Sequence, residues 1–348
     1  MTPRRSPHPA LPPPRREPFW PLPSPGQRQP FRPSPHRPFQ KRPMTTLSPR
    51  DTLPDPMTVC IAAISNNHDA IITASDMMLS DDVSSIDNAA FKTRALTNPG
   101  AEENWHCMYA GSPDTFDELF WNIRAHLKEH PQDSESDTAM KAAVEKAYST
   151  VTTHRIETGV LSAFGISRDE FFQTGVQRFG ESYFKQLAEE CRSVKLDTDM
   201  LVVGFEVRKF ATHNARVPHI FTAQKETGTC ASQDQLKFQA IGAGAWAAMG
   251  SLFSREFLTE RSVNEIVYIL CEAKFVSEMA RSVGGSTMVE VFYADGSASS
   301  LFVDVKKDAI RSAWNRYQNR VTPQEALASI DEQLKRRLRS APRDTTRP

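Results

Sequence analysis

The sequence predicts an α+β fold in which strands and helices form separate blocks. From residue 58 onward, strand patterns come first, followed by two helices, more strands, two further helices and a closing pair of strands. Strands grouped apart from helices favour α+β layers over alternating βαβ units. The strand segments are rich in β-branched and apolar residues and are bounded by turn-forming residues. We expect helices packed between two mainly antiparallel sheets.

The first block is predicted to contain four strands. "TVCIAAIS", which begins at Thr58, and "AIITAS" are apolar and β-branched, and the turn "NNHD" joins them into a hairpin. "FKTRALT" and "NWHCMYAG" follow as two short strands, with "NPGAEE" as the turn between them. The chain therefore enters its fold through a hairpin whose first residue is Thr58.

The first helical block starts with a clear capping signal. In "SPDTFDELFWNIRAHLKEH", Ser112 can cap the helix and Pro113 suits the first helical position. Residues 135–195 are predicted to be largely helical, with a break near "GVLSAFGISRDE".

The second half repeats the order of strands and helices. "DMLVVGFEV", "HIFTAQKE" and "LKFQAIGAG" are predicted strands, and "AWAAMGSLFSREFL" and "VNEIVYILCEAKFVSEMARS" are predicted helices. "STMVEVFYADGS" and "ASSLFVDV" form a hairpin that turns at Asp295-Gly296. A capping box from Thr322 to Glu325 begins a charged helix that we expect at the periphery. Residues 57–305 are thus one domain, and residues 306–348 are a C-terminal helical extension with a tail.

Residues 1–56 are predicted to be a disordered tail. They hold 18 of the chain's 25 prolines, and ten Lys and Arg against three Asp and Glu. Proline interrupts helices and central strands, so the segment has polyproline II character and buries little. We expect that the segment is a passive tail, is not translated or is removed as a propeptide, with a basic partner-binding arm as the alternative. Met1, Met44 and Met57 are the candidate starts of translation.

Charge and cysteine content narrow the function classes. The 292 residues after the tail carry 32 basic and 39 acidic groups, which gives no electrostatic case for nucleic acid. The five cysteines are odd in number and lack metal-ligand spacing, which fits reduced thiols in a cytoplasm. No apolar run approaches the ~20 residues that cross a bilayer. We predict a cytoplasmic protein with no cofactor, metal or membrane partner.

The order of these motifs resembles that of the proteasome-type N-terminal nucleophile hydrolases, which include the 20S proteasome β-subunits and bacterial relatives. Thr58 heads the first strand, Asp76 ends the second in "IITASD", and Lys92 opens a later strand in "FKTRAL". The step of sixteen residues from Asp76 to Lys92 matches the family, and the step from Thr58 to Asp76 is two longer.

Four further segments carry the resemblance, which covers residues 58–305. They are "MYAGSPDTFDELF", "LVVGFE", "FQAIGAGAWAAMGSLF" and "EMARSVGGSTMVEVF". The opening Met-Thr-x-Cys is more similar to a divergent bacterial branch than to a typical β-subunit.

The resemblance implies a four-layer αββα sandwich and a threonine peptidase that cuts peptides or unfolded proteins within a homo-oligomeric ring or related assembly. It implies no cofactor. The catalytic residues that it implies are Thr58, Asp76, Lys92 and Gly111, and the substrate-binding residues are Ser80 and Ser112, which would pair with a substrate strand through main-chain bonds.

The implied chemistry needs Thr58 to carry a free α-amine. That amine, with an ordinary pKa of about 7.7–8.0, can take the proton of the hydroxyl. A nearby Lys92 ammonium would keep the amine neutral, and Asp76 would hold Lys92 in place. The Gly111 N–H would stabilise the oxyanion, an interaction often worth ~3 kcal/mol. We expect translation from Met57 and removal of that Met, with cleavage of a propeptide as the alternative.

Five positions depart from the family pattern, and four of them, Met78, Ala243, Ala280 and Val283, support a second hypothesis. Arg, Thr, Ser, Asp and Ser are expected where this chain has Met78, Ser80, Ala243, Ala280 and Val283. The family uses such groups to support the terminal amine. A non-catalytic proteasome-like assembly subunit is therefore the main alternative, and an amidase acting on a small molecule is a third.

Other reactive side chains receive no catalytic role. Cys60 lies two residues after Thr58 and faces the same side of the strand. We predict that Cys60 packs in the core, with a second nucleophilic thiol as the alternative. His68, His106 and His154 show no paired spacing and are assigned no function.

Overall fold

Two five-stranded antiparallel sheets organise the protein, as the computed structural model shows. The predicted α+β class is confirmed. The structure describes residues 58–65, 67–80, 85–86, 91–97, 105–210, 214–255, 261–280, 283–304, 308–317 and 323–340. The predicted tail, the predicted turn "NPGAEE" and Thr322 of the predicted capping box lie outside these residues.

The first sheet contains the predicted opening hairpin and the predicted closing hairpin. Its strands are β1 (Cys60–Ile64), β2 (Ala70–Asp76), β10 (Phe238–Ile241), β11 (Thr287–Tyr293) and β12 (Ala298–Val303). They lie in the order β10-β1-β2-β11-β12, so β1 and β2 are both interior strands. In this register Cys60 lies opposite Ile241 on one side and Ser75 on the other.

The second sheet follows the chain order β5-β6-β7-β8-β9. Its strands are β5 (Thr93–Ala95), β6 (Trp105–Gly111), β7 (Thr198–Lys209), β8 (Asn214–Ala223) and β9 (Cys230–Ser232). A separate two-stranded ladder pairs β3 (Leu79–Ser80) with β4 (Ser85–Ile86). The sequence pattern did not predict β3, β4 or β9, because two or three residues are too few to show a periodicity.

Eight α-helices are described. They are α1 (Pro113–Glu129), α2 (Asp137–Ile156), α3 (Arg168–Phe179), α4 (Glu181–Ser193), α5 (Ala245–Ser254), α6 (Val263–Ser277), α7 (Ala309–Tyr317) and α8 (Gln324–Ser340). Ser112 caps α1, as predicted, and its side chain accepts a hydrogen bond from the Thr115 N–H. None of the described helices has both the length and the apolar content to span a membrane.

The long helical segment breaks at two places rather than one. Beyond α2, the chain forms a π-helical turn and a 3₁₀ turn over Glu157–Leu161 and Ser162–Phe164, where the sequence predicted a break. A second break lies at Gly180, whose φ of 76° separates α3 from α4. Glycine reaches positive φ without a steric penalty, which ends one helix and begins the next.

The two sheets share a hydrophobic core. Cys60, Ala62 and Ile64 from the first sheet pack with Leu201 and Val203 from the second. The opposite face of the first sheet packs against α5, α6, α7 and α8, and that of the second against α1 and α2. The expectation that helices lie between the sheets is therefore wrong. β1 is buried along its whole length because it is covered on both faces.

The C-terminal helix belongs to the core rather than to the periphery. Ala326, Ile330 and Leu334 of α8 are buried in the cluster that also contains α6 and the first sheet. Their spacing of four residues places them on one face of the helix. The expected peripheral position is wrong because that apolar stripe needs a partner surface.

A buried histidine links β7, β8, the turn after β9 and α2. His219 on β8 lies 2.8 Å from Asp234 through Nδ1 and 3.0 Å from Glu206 through Nε2, with Asp137 at 4.0 Å. Burial lowers the pKa of His219, but the hydrogen bonds and charges of these carboxylates outweigh it, and the pKa is raised. Only the imidazolium can donate from both ring nitrogens.

We predict that this ionic cluster stabilises the fold less as the pH rises. A raised folded-state pKa gives a contribution that is fully present below about pH 6.5, the unfolded value, and is lost as the pH passes the folded-state pKa. His219→Asn should lower the free energy of unfolding by roughly 3 kcal/mol at pH 6. The difference from the parent, measured by chemical denaturation, should shrink towards pH 9.

The exposed His154 on α2 offers a matched control. His154→Asn should change the free energy of unfolding by less than about 0.5 kcal/mol at either pH. A deficit of His219→Asn that stays constant from pH 6 to pH 9 would contradict the imidazolium assignment.

Candidate active site

Thr58 and Asp76 meet where the first two strands end. Pairing continues past the β1–β2 ladder, and the Asp76 N–H donates to the Val59 carbonyl at 3.1 Å. The Val59 N–H donates back to Asp76 Oδ1 at 3.1 Å, and the Thr58 hydroxyl donates to the same oxygen. Both side chains are buried, at 1% and 0% exposure. The hairpin register therefore fixes the contact between two of the predicted site residues.

A third segment completes the surroundings of Asp76. The Gly284 N–H, from the turn before β11, donates to Asp76 Oδ2 at 3.2 Å. Burial raises the pKa of Asp76, while the Lys92 charge and the hydrogen bonds from Thr58, Val59 and Gly284 oppose that rise. Three donors on one carboxyl group favour its ionised form.

Lys92 acts on this site through its charge. It is buried immediately before β5, and its ammonium lies 5.1 Å from the centre of the Tyr109 ring. Burial raises the pKa of both Asp76 and Cys60, and the Lys92 charge opposes that rise. Within the described residues, no ion pair of 4.0 Å or less joins Lys92 to Asp76. The hydrogen bonds of Asp76 go to Thr58 and to backbone amides instead.

Cys60 lies beside the site but is packed. Its thiol donates to the Tyr109 carbonyl at 3.3 Å, and it belongs to the core between the sheets. Burial raises the pKa of Cys60 far above its ordinary range. A buried neutral thiol is a poor nucleophile, which favours the packing interpretation.

The turn between β10 and α5 packs closely against the Thr58 backbone. Gly242 has a φ of 93°, and a Cβ atom there would lie 2.2 Å from the Thr58 carbonyl oxygen and 3.1 Å from the Ala110 side chain. The Gly244 N–H donates to the same carbonyl at 3.4 Å. This glycine-rich turn therefore sets the position of Thr58, and it brings the end of β6 next to it.

Gly111 follows Ala110 at this end of β6. Its φ is 138°, and a Cβ atom there would lie 2.1 Å from the Asp197 carbonyl oxygen, so only glycine fits. Ser112 is used structurally, because its hydroxyl caps α1 and its carbonyl accepts from Thr198 Oγ1 at 3.1 Å. Gly111 therefore follows a residue that borders the Gly242 turn, while the Ser112 hydroxyl already has a partner.

The positions that depart from the family pattern bring apolar groups. Met78 is buried after β2, and Val283 is buried at the turn that contains Gly284. Ala243 is half-buried between the two glycines of the β10–α5 turn, and Ala280 packs against the helical core. Ser80 pairs with Ser85 between β3 and β4, and its side chain lies outside the described residues.

Sequence reasoning missed a charged cluster behind Asp76. Lys274 on α6 is 0% exposed, and its ammonium donates to Glu278 at 2.6 Å and to the Gly284 carbonyl. Arg311 on α7 joins the cluster through Glu278 at 2.7 Å. The available signal was a lysine inside the apolar run "IVYILCEAKFVS" with a glutamate four residues later, which is the spacing of a helical ion pair.

The described residues contain one group with metal-ligand geometry, away from Thr58. Ligand atoms of Asp137, His219 and Asp234 lie within 4.8 Å of one another. Lys141 already donates to Asp137 at 2.6 Å, and both ring nitrogens of His219 meet carboxylates. These contacts engage every member of the group in internal ion pairs, although Asp137 Oδ1 accepts no hydrogen bond from the described residues.

Comparisons with known proteins leave the family open. No family model matches the chain, and no curated protein matches it. A solved structure of an Anbu mutant from Hyphomicrobium sp. strain MC1 is similar, with a TM-score of 0.48 and 13% identity. The match covers 74% of this chain and 94% of that one. Similarity of this degree identifies no activity.

We predict that Gly242→Ala disturbs both stability and the position of Thr58. The new Cβ atom would need a strained positive φ and space occupied by the Thr58 carbonyl. The free energy of unfolding, measured in urea, should fall by more than about 1 kcal/mol.

Gly250→Ala on α5 is the matched control. A Cβ atom at that position meets nothing within 4 Å. The substitution should be neutral or raise the free energy of unfolding by up to about 1 kcal/mol, since alanine favours helix. Equal effects of the two substitutions would contradict the close packing of Gly242 on Thr58.

Proposed function

We propose that the chain is a proteasome-like threonine peptidase of the N-terminal nucleophile class, with Thr58 as its nucleophile. The observation that carries the proposal is the hydrogen bond from the Thr58 hydroxyl to Asp76, within the field of Lys92. These three residues span 35 positions of the chain and share no local motif. Their convergence at the head of β1 supports the roles that the resemblance implies.

The layer arrangement supports the same class. The two sheets share one core, and helices cover the outer face of each. We propose that this is the four-layer αββα sandwich of the N-terminal nucleophile hydrolases. Such a fold places the first residue of a mature chain at the end of an interior strand, where neighbouring strands can surround it.

The proposed reaction uses Thr58 as nucleophile and base. In this chain the Thr58 nitrogen is joined to Met57, so the activity requires that this peptide bond is absent from the mature protein. The free amine then takes the proton of the hydroxyl, and Oγ attacks the substrate carbonyl carbon. The amine passes the proton to the leaving nitrogen, and an ester on Oγ remains. Water, deprotonated by the same amine, hydrolyses that ester and restores the hydroxyl.

The other residues would tune this sequence of steps. The Lys92 ammonium disfavours a second positive charge and so keeps the amine neutral. Asp76 anchors the hydroxyl through its hydrogen bond. The Gly111 N–H would face the oxyanion of the tetrahedral intermediate. The backbones at Ser80 and Ser112 would pair with an extended peptide, within a homo-oligomeric assembly.

A non-catalytic assembly subunit is the second candidate. Met78 and Val283 are buried apolar residues, and Ala243 lies between the two glycines that approach the Thr58 carbonyl. These positions supply no side-chain hydrogen bond to a terminal amine. The same fold would then serve assembly alone.

We predict that a chain with a free Thr58 amine reacts at Thr58 with an electrophile selective for N-terminal threonine. Intact-mass measurement should first show that the mature protein begins at Thr58. Thr58→Ala and Lys92→Ala should each lower peptide hydrolysis by about 10²–10⁴-fold, because each removes a component of one acid–base step. The double variant should lose little more than either single variant.

Arg94→Ala provides the control for Lys92→Ala. Arg94 lies two residues further along and pairs with Asp117 instead of the site. Its loss should leave labelling of Thr58 intact. Absence of labelling in a parent with a free amine would favour the assembly subunit, and labelling at Cys60 would make the thiol the nucleophile.

A further inference from the structure

The turn at Gly284 and Gly285 is held from behind by two charged side chains. The Gly284 carbonyl accepts from the Lys274 ammonium on α6, and the Gly285 carbonyl accepts from Arg311 on α7 at 2.8 Å. The Gly284 N–H points the other way, to Asp76. One peptide segment therefore connects the two helices to the carboxyl group that binds Thr58.

Burial of the Lys274 ammonium carries a large desolvation cost, which its partners must offset. It is 0% exposed, and an unpaired ammonium in such a place would be strongly destabilising. Glu278 accepts from it at 2.6 Å, one helical turn away. Burial lowers the pKa of Lys274, and the charges of Glu278 and Asp76 oppose that change. The Lys274 charge thus acts on Asp76 as well as on its helical partner.

Arg311 fixes the far end of this chain of charges. Its guanidinium donates to Glu278 at 2.7 Å and lies 3.9 Å from the centre of the Phe275 ring. Because Glu278 accepts from both Arg311 and Lys274, its carboxylate holds the two cations in fixed positions. A planar guanidinium with several aligned donors is suited to clamp a carboxylate and a carbonyl together.

We propose that Lys274, Glu278 and Arg311 form a positioning network that holds the Gly284 N–H against Asp76 and so orients the Thr58 hydroxyl. This inference rests on the proposed function of Thr58. It assigns α7, which the sequence placed in a separate extension, a direct part in building the site. Lys274 is a positioning residue, since its contacts reach Thr58 only through Gly284 and Asp76.

The network has an electrostatic signature that simple packing lacks. Asp76 faces the charges of Lys92 and Lys274, the Thr58 hydroxyl, the Cys60 thiol, the Tyr109 phenol and the backbone amides of Val59 and Gly284. Lys274→Met removes one of the two cations while keeping a long apolar side chain. The pKa of Asp76 should rise, and the acid limb of the pH–rate profile of Thr58 labelling should move to higher pH.

The experiment compares two variants of the network with one matched control on α6. Lys274→Met and Glu278→Gln break the network, whereas Glu272→Gln breaks a separate pair with Arg255, at 2.8 Å, six residues before Glu278. Full-length protein is examined by hydrogen–deuterium exchange and thermal unfolding, and protein with a free Thr58 amine is examined by Thr58 labelling as a function of pH. Exchange and unfolding report on the structure whether or not Thr58 reacts.

Local opening is the expected result. Deuterium uptake should rise in residues 283–287 and 72–76 for Lys274→Met and Glu278→Gln. It should stay unchanged there for Glu272→Gln, even if that variant loses as much in thermal midpoint. Labelling should slow by up to about 100-fold, the effect of misplacing a reacting group by 1 Å. The acid limb should move furthest in Lys274→Met, which also removes a cation near Asp76.

The outcomes separate this inference from the proposed function. Local opening in the two variants, with no labelling of the parent, would support the network and overturn the peptidase. Normal labelling, an unshifted acid limb and protected residues 283–287 in Lys274→Met would overturn the network and leave the peptidase standing. An equal rise in uptake in Glu272→Gln would overturn the positioning role and show that Lys274, Glu278 and Arg311 form only structural ion pairs.

Discussion

The candidate site depends on one buried carboxyl group. Asp76 accepts hydrogen bonds from Thr58, Val59 and Gly284, which come from the head of β1 and from the turn before β11. Removing a carboxylate from water costs several kcal/mol, and only close donors and nearby cations can offset that cost. The hydrogen bonds that offset the burial of Asp76 therefore also determine the position of Thr58.

Those contacts require the whole first sheet and the helices that cover it. β2 lies between β1 and β11, so Asp76 ends an interior strand whose two neighbours supply its donors. Gly242 presses on the Thr58 carbonyl from β10, on the other side of β1. A displacement of any of these strands would leave the carboxyl group with an unmade hydrogen bond, which is costly in a buried place.

The sequence predicted the parts of this arrangement that leave a periodic or local signal. The strands that contain Cys60 and Ser75 are long and apolar, and the Ser112 cap follows from its own two neighbours. Thr58, Asp76 and Lys92 were proposed as site residues because the order and spacing of the motifs resemble those of a known family. The hydrogen bond of Thr58 to Asp76, with no ion pair from Asp76 to Lys92, depends on side-chain geometry that spacing does not contain.

Other features were beyond prediction for physical reasons. The break at Gly180 depends on one positive φ, and glycines inside helical patterns can also be tolerated. The buried position of α8 and the role of Arg311 depend on long-range packing against α6. Lys274 was interpretable only as part of an apolar helix, because its partners at Gly284 and Asp76 are close in space and distant in sequence.

The charges around Thr58 also bear on the state of a terminal amine. The charged groups of the site and of the network are the buried cations Lys92, Lys274 and Arg311, the buried Asp76 and the partly buried Glu278. Arg311 and Lys274 share the single negative charge of Glu278, so this set has one cation in excess.

A protonated amine on Thr58 would add another positive charge in a region of low dielectric constant, where such interactions are strong. The field of the network and of Lys92 thus favours the neutral amine that the proposed mechanism needs. On this argument the charged cluster behind Asp76 takes over the tuning that Ala243, Ala280 and Val283 cannot provide.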